Sequence, residues 1–245
     1  MLLTHCRRLI TPHTDYRRHV GCSVCVKLRI FADMDRKGKL YFRYGTMGSA
    51  KTAILLATAY NFEERGLSFI CMKPEIDTRE KRNVIRSRIG IERECEMIRH
   101  ETDLYAHLSS IFRRDGAAFD WILVDECQFL TAEQVDQLSR IVDDFGSNVV
   151  CYGLRTDFRS LLFEGSRRLF EIADTIDEIK STCTCGHKTI VNARFDANGD
   201  FVEDGDQVEI GGNDRYTAVC RRCWRNKKIS QASRFTLFPA GNLKS

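Results

Sequence analysis

The stretch Gly45-Thr46-Met47-Gly48-Ser49-Ala50-Lys51-Thr52 constrains this chain more than any other. It follows an alternating apolar run (Leu40, Phe42, Tyr44) and opens a helix-like run from Ala53 to Arg65. A glycine-containing turn between a strand and a helix, ending in Lys-Thr, is a phosphate cradle. Backbone N–H groups at the helix start point at the anion, and the helix dipole favours negative charge there. Lys51 adds a point charge, and the Thr52 hydroxyl suits Mg²⁺. The stretch departs from the pattern G-x-x-x-x-G-K-[ST] at one position, where Ala50 stands in place of the second glycine.

Regular alternation surrounds this loop. Lys39–Tyr44 reads as a strand, Ala53–Arg65 as a helix closed by Gly66, and Leu67–Met72 as a second strand. Pro74 to Gly90 reads as a polar loop with a short strand around Val84–Ile89, and Leu104–Phe112 as an amphipathic helix. Trp121-Ile122-Leu123-Val124 is a continuous apolar run, the signature of a buried parallel strand. Thr131 with Gln134 three residues on predicts a capping box. Val135, Leu138, Ile141, Val142 and Phe145 form the stripe of the helix that follows, and Gly146 ends it. Asn148–Leu154 is a further buried strand. Strands alternating with helices predict an α/β fold with a mainly parallel sheet.

Asp125-Glu126-Cys127-Gln128 closes the most buried strand, at the end where ligands bind in open α/β sheets. An apolar run ending in Asp, roughly 70 residues beyond a phosphate loop, supplies a second anchor for Mg²⁺. Glu126 beside it is placed to take a proton from an attacking hydroxyl, of water in an ATPase or of a substrate alcohol in a kinase.

The texture changes near Ile176. Short alternating runs (Thr189–Phe195, Phe201–Glu203, Gln207–Ile210) and turns at Asn198-Gly199 and Gly211-Gly212-Asn213 predict a small β-rich module. Cys183-Thr184-Cys185 and Cys220-Arg221-Arg222-Cys223 bracket it, separated by 34 residues. Two close thiol pairs at that separation read as a structural zinc ribbon, its first pair tighter than usual, with His187 as the alternative ligand. Closed coordination assigns such zinc to folding rather than catalysis. The excursion between the pairs is either a plain hairpin or a lid over a ligand. Isolated Cys71, Cys95, Cys127 and Cys151 read as buried, inert thiols.

The chain's net charge of +4 does not mark a nucleic-acid binder. Residues 1–33 carry six basic and two acidic residues, and the rest balances 32 against 32. The arginine-rich residues 1–37 read either as a targeting segment or, the reading preferred here, as an extension ahead of a start at Met34. Cys22 and Cys25 lie there without a second pair nearby. An odd total of 11 cysteines and no secretory signal favour a reducing cytoplasm. No apolar run approaches the roughly 20 residues that span a bilayer.

Taken in order, these stretches resemble the type II, zinc-containing, cytosolic thymidine kinases, in particular their bacterial branch. The likeness runs from the phosphate loop through Ile76-Asp77-Thr78-Arg79, Ser87-Arg88-Ile89-Gly90, Val124-Asp125-Glu126-Cys127-Gln128-Phe129-Leu130, Cys151-Tyr152-Gly153-Leu154-Arg155-Thr156-Asp157-Phe158-Arg159 and Val208-Glu209-Ile210-Gly211-Gly212-Asn213-Asp214-Arg215-Tyr216. It implies a RecA-like P-loop domain over 38–178 and a zinc-binding lasso domain over 179–226; the polar, Lys-containing residues 227–245 read on their own composition as a flexible tail. It implies transfer of the ATP γ-phosphoryl group to the 5′-hydroxyl of thymidine, with deoxyuridine left open. Lys51 would hold the β/γ-phosphates, with Arg79 and the Asp125–Gln128 turn (Cys127 included) beside the nucleotide. Thr52 and Asp125 would hold Mg²⁺, Glu126 would be the general base, and Phe158, Phe163 and Tyr216 would line the nucleoside pocket. A homotetramer inhibited by thymidine triphosphate is also implied.

Two rivals remain on sequence grounds. A nucleic-acid-dependent P-loop ATPase with a zinc ribbon would explain Asp125-Glu126 and the cysteines, but such motors need two domains and a basic groove. A non-catalytic binding module would explain Ala50, but not the intact Lys51, Thr52, Asp125 and Glu126.

Overall fold

A computed structural model describes residues 38–75, 83–196, 200–207 and 215–227. The N-terminal extension, Cys22 and Cys25, Arg79, the lasso segment 208–214 and the tail from 228 lie outside the described residues.

Six strands form one parallel sheet. In chain order they are β1 (Leu40–Gly45), β2 (Phe69–Pro74), β5 (Glu96–Ile98), β6 (Trp121–Val124), β7 (Asn148–Gly153) and β8 (Thr175–Ile179). Their spatial order is β5-β2-β6-β7-β1-β8, and every neighbouring pair is parallel. A short antiparallel hairpin, β3 (Val84–Arg86) and β4 (Glu92–Glu94), lies outside that sheet. The helices are α1 (Lys51–Glu64), α2 (Leu104–Asp115), α3 (Ala132–Phe145) and α4 (Glu164–Ile172).

Strand alternation sorts side chains to two cores. Leu40, Phe42, Ile122, Val124, Val149 and Cys151 face one side, where they pack with Leu104, Leu108, Val135, Leu138 and Leu169 of α2, α3 and α4. Leu123, Val150 and Tyr152 face the other, with Leu55, Leu56 and Ala59 of α1 and Ile85 of the hairpin. A parallel sheet covered on both faces needs apolar residues at consecutive positions, which is why β6 reads Trp-Ile-Leu-Val. Each fully buried side chain of this size contributes about 1.5–3 kcal/mol.

The capping box of α3 is complete. Thr131 Oγ1 accepts from the Gln134 N–H, and Gln134 Oε1 accepts from the Thr131 N–H. Gly146 ends the helix at φ 69°. Several elements have no counterpart in the sequence reading, among them β4, β5, α4 and β8. Helix α4 carries Gly165 and Ser166, poor helix formers, in its first turn. There a Cβ on Gly165 would come 2.5 Å from the Cys127 carbonyl, so packing sets the choice. Strand β8 is polar (Thr-Ile-Asp-Glu-Ile) and sits at the sheet edge beside β1.

Beyond β8 come β9 (Val191–Phe195), β10 (Phe201–Val202) and β11 (Tyr216–Val219). They form a second, antiparallel sheet in the order β10-β9-β11. A short helix, α5 (Arg221–Arg225), follows. The expected run Gln207–Ile210 falls mostly outside the described residues, and β11 is an additional strand. No described helix is long and apolar enough to cross a membrane.

Candidate active site

The phosphate loop leaves β1 at Gly45, which is in register with Ile179 of β8. A Cβ on Gly45 would lie 2.4 Å from Ser49 Oγ and 2.6 Å from the Ile179 carbonyl, so this glycine is demanded by close approach. Gly48 takes φ 73°. Ala50 takes φ 64°, ψ 20°, a left-handed conformation, and serves as N-cap of α1 with no side-chain capping bond. Helix α1 therefore begins at Lys51, two residues before the apolar run that marks it in the sequence. The N–H groups of its first turn have no partner within the helix and belong to the loop mouth.

Lys51 is buried, and its Nζ donates to the Thr46 carbonyl at 2.9 Å. Burial lowers its pKa, while Glu126 and Asp125 pull it back up. Ser49 Oγ, also buried, has no hydrogen-bond partner.

Beneath the loop, Thr52 Oγ1 donates to Asp125 Oδ2 at 3.0 Å. Asp125 is 3% exposed, and its Oδ1 has no partner. Burial pushes its carboxyl up to about 7, the Glu126 charge adds to this, and the Thr52 hydrogen bond and Lys51 oppose it. An orphaned carboxylate oxygen beside a threonine hydroxyl is a donor set that fits a hard divalent cation. Such a cation would also offset the cost of burying the charge.

Glu126 follows at φ 52°, ψ 37°, left-handed for a residue with a side chain. That conformation costs about 1–2 kcal/mol and is held here by its surroundings. Gln128 is the restraint: Nε2 donates to Glu126 Oε2 at 2.6 Å, while Oε1 accepts from the Leu154 N–H at 2.9 Å. Cys127 turns the other way, into the core, with a pKa raised well above the ordinary thiol by burial and then by Cys151.

Across the sheet end, Phe158 and Phe163 are both buried. Phe163 meets Phe129 edge-on at 5.6 Å, and the guanidinium of Arg194 lies 5.1 Å over Phe158. Tyr216 is the first residue of β11, paired with Arg194. The structure thus gathers residues 45–52 and 125–128 at the carboxyl end of the sheet, with Phe158 and Phe163 on the adjoining loop.

The second cluster is the thiol set. The Sγ atoms of Cys183, Cys185, Cys220 and Cys223 all lie within 4.8 Å of one another. Thiolates about 2.3 Å from a tetrahedral Zn²⁺ stand about 3.8 Å apart, so the set fits that ion. Cys183 and Cys185 share a tight turn in which the Gly186 N–H donates to the Cys183 carbonyl at 2.8 Å. Cys220 caps α5, where its Sγ accepts from the Cys223 N–H at 3.4 Å. His187 Nδ1 is 3.5 Å from Cys185 Sγ, outside the four-thiol cluster.

Sequence reasoning overlooked the seam between these two sites. Thr46 Oγ1 lies 2.9 Å from Ser181 Oγ and 2.8 Å from Thr189 Oγ1. The Met47 N–H donates to Asn192 Oδ1 at 2.8 Å. Nothing in the spacing of these small polar residues announces the contact, whose Thr46 and Ser181 ends stand 135 positions apart in the chain.

Comparison with known proteins gives the chain its relatives. The family model described as Thymidine kinase matches residues 38–224. The "Thymidine kinase" of Photobacterium profundum is 44% identical over 187 residues, covering 76% of this chain and 96% of that protein. That of Xanthomonas axonopodis pv. citri is 46% identical over 183 residues, covering 75% and 87%. Among solved structures, the flagellar accessory protein FlaH from Methanocaldococcus jannaschii overlaps 62% of this chain and 76% of its own at 14% identity, with a TM-score of 0.39. That overlap is too loose to bear on activity. The family match over residues 38–224, with relatives aligned along 87% and 96% of their length, means that this chain belongs to the thymidine kinase family.

Proposed function

We propose that the chain transfers the γ-phosphoryl group of ATP to the 5′-hydroxyl of thymidine, giving thymidine monophosphate. Beside family membership, the observation that carries this reading is the pairing under the loop: Thr52 on Asp125, an orphaned Asp125 oxygen, and Glu126 next to it. The N–H groups from Gly48 onward and the Lys51 ammonium receive the donor phosphates. Thr52 and Asp125 would hold Mg²⁺, which would supply positive charge against the donor phosphates. Glu126 accepts the proton of the 5′-hydroxyl. Its bond to Gln128 fixes Oε2 and leaves Oε1 for that role. Phe158, Phe163 and Tyr216 enclose the nucleoside, and the family resemblance assigns Arg79 to the phosphate donor.

The four cysteines hold a structural Zn²⁺ in a lasso domain over 179–226, distinct from the kinase domain over 38–178. A homotetramer, inhibition by thymidine triphosphate and a cytoplasmic location complete the proposal. The first two rest on the family resemblance, and the third also on the pairing of cysteines for metal rather than disulfides.

One assay tests the core of this. ADP release from Mg-ATP is measured with thymidine, with single-stranded DNA and with neither. Turnover with thymidine alone is expected; turnover driven by DNA would favour the ATPase reading. Glu126→Gln should abolish turnover and keep ATP binding.

A further inference from the structure

Asn192 lies on β9, the central strand of the small sheet, and is 3% exposed. A buried amide is costly unless both ends are bonded. Here both are, and to two different parts of the site. Oδ1 accepts from the Met47 N–H of the phosphate loop at 2.8 Å, and Nδ2 donates to the Thr156 carbonyl at 3.1 Å. Thr156 stands two residues before Phe158. One side chain of the small module therefore joins the donor loop to the loop that carries Phe158.

Hydroxyls reinforce the tie. Ser181 and Thr189 both contact Thr46 Oγ1, and Ser181 Oγ meets Thr189 Oγ1. The Thr46 carbonyl in turn holds Lys51 Nζ. The thiol cluster sits at one end of the strand pair that carries Asn192: Cys183 and Cys185 precede β9, and Cys220 directly follows β11, whose Val219 pairs antiparallel with Val191. Metal at those thiols would clamp β9 and β11 together and hold Asn192 in place.

We infer that Asn192 is a positioning residue that fixes the phosphate loop against the 154–163 loop, and that through it the metal-bound module sets the affinity of the donor site. It touches neither substrate; it removes the Met47 N–H from the set that receives phosphate and holds the loop in register. The inference rests on reading residues 45–52 as the ATP site.

The test uses the full chain. Asn192→Leu removes both bonds while keeping the branched shape with bulkier ends, and Asn192→Ser, which is smaller, reads the same quantities should the leucine variant not fold. Mg-ATP binding is measured by calorimetry without thymidine. Zinc content is measured alongside, and hydrogen exchange is followed in the peptides over 45–52 and 121–130. We expect ATP Kd to rise about tenfold, equivalent to about 1.4 kcal/mol, with exchange faster at 45–52, unchanged at 121–130, and zinc retained. Stripping zinc from the wild type with a chelator should speed exchange at 45–52 in the same way. A merely structural role would lower Tm and leave Kd unmoved. ATP binding within about twofold of wild type with unchanged exchange at 45–52 would overturn the inference. A wild type that does not bind ATP would instead sink the reading beneath it.

Discussion

Ala50→Gly isolates one term in the loop. Ala50 is exposed and holds φ 64°, ψ 20°, where its methyl group crowds its own backbone. For an L-residue that conformation costs roughly 1–2 kcal/mol. Glycine removes this cost but gains about 0.4–1 kcal/mol of freedom in the unfolded chain. The net expectation is a stabilisation of about 0.5–1 kcal/mol, a rise in Tm of about 1–4 °C for a body of this size. Gly48→Ala is the mirror experiment. Gly48 holds φ 73°, and an added Cβ would meet nothing within 4 Å, so only the backbone term operates. It should lower Tm by a similar amount. Scanning calorimetry on the two single variants, without nucleotide, reads both numbers directly. A fall in Tm for Ala50→Gly, or no change for Gly48→Ala, would refute the reasoning. The loop amide at position 50 survives either way, so KM for ATP should improve modestly or stay put in Ala50→Gly. A gain in activity of a hundredfold or more would mean that the methyl group obstructs the nucleotide itself.

Other positions respond through different physics. Gly45→Ala should be far worse than Gly48→Ala, losing about 1–3 kcal/mol or more by denaturant titration, because its Cβ would drive into Ser49 Oγ and the Ile179 carbonyl; equal losses at the two glycines would contradict the packing argument. Cys220→Ser should strip the metal, leaving the module from about residue 180 open to limited proteolysis while the parallel sheet keeps its far-ultraviolet signal; a variant that retains one zinc per chain by atomic absorption would exclude a four-thiolate site. Burial pushes Cys71 up to about 12 and Cys95 to about 11, from an ordinary 9.0. Both thiols should resist iodoacetamide at about pH 8 in the native chain, mapped by mass spectrometry. The folded state also keeps protons there that the unfolded state loses above about pH 9, so these thiols lower stability as pH rises from about 9 toward 11–12.

Much of the site was legible because its parts are local. A strand, a loop and a helix start are contiguous in Gly45–Thr52, and Asp125-Glu126 closes a run whose burial is written in four consecutive apolar residues. The capping box at Thr131 and Gln134 is likewise a matter of near neighbours. Elements governed by distant contacts were not legible. Helix α4 carries Gly165 in its first turn because the Cys127 carbonyl lies against it, and β8 is a polar edge strand recognisable only by its pairing with β1. The left-handed backbone of Ala50 and Glu126 was equally hidden, since neither residue type asks for it.

By itself the sequence determined the α/β alternation, the phosphate loop with its acidic partner, and the two thiol pairs, since each depends on periodicity or short spacing. Only the tertiary structure decided that Asp125 keeps an unpartnered oxygen beside Thr52, that Gln128 restrains Glu126, and that Asn192 reaches across from the small sheet to Met47 and Thr156. Those are bonds between single polar atoms. They leave no periodic trace in the chain, and they form only when packing has brought the partners within about 3 Å and shut water out.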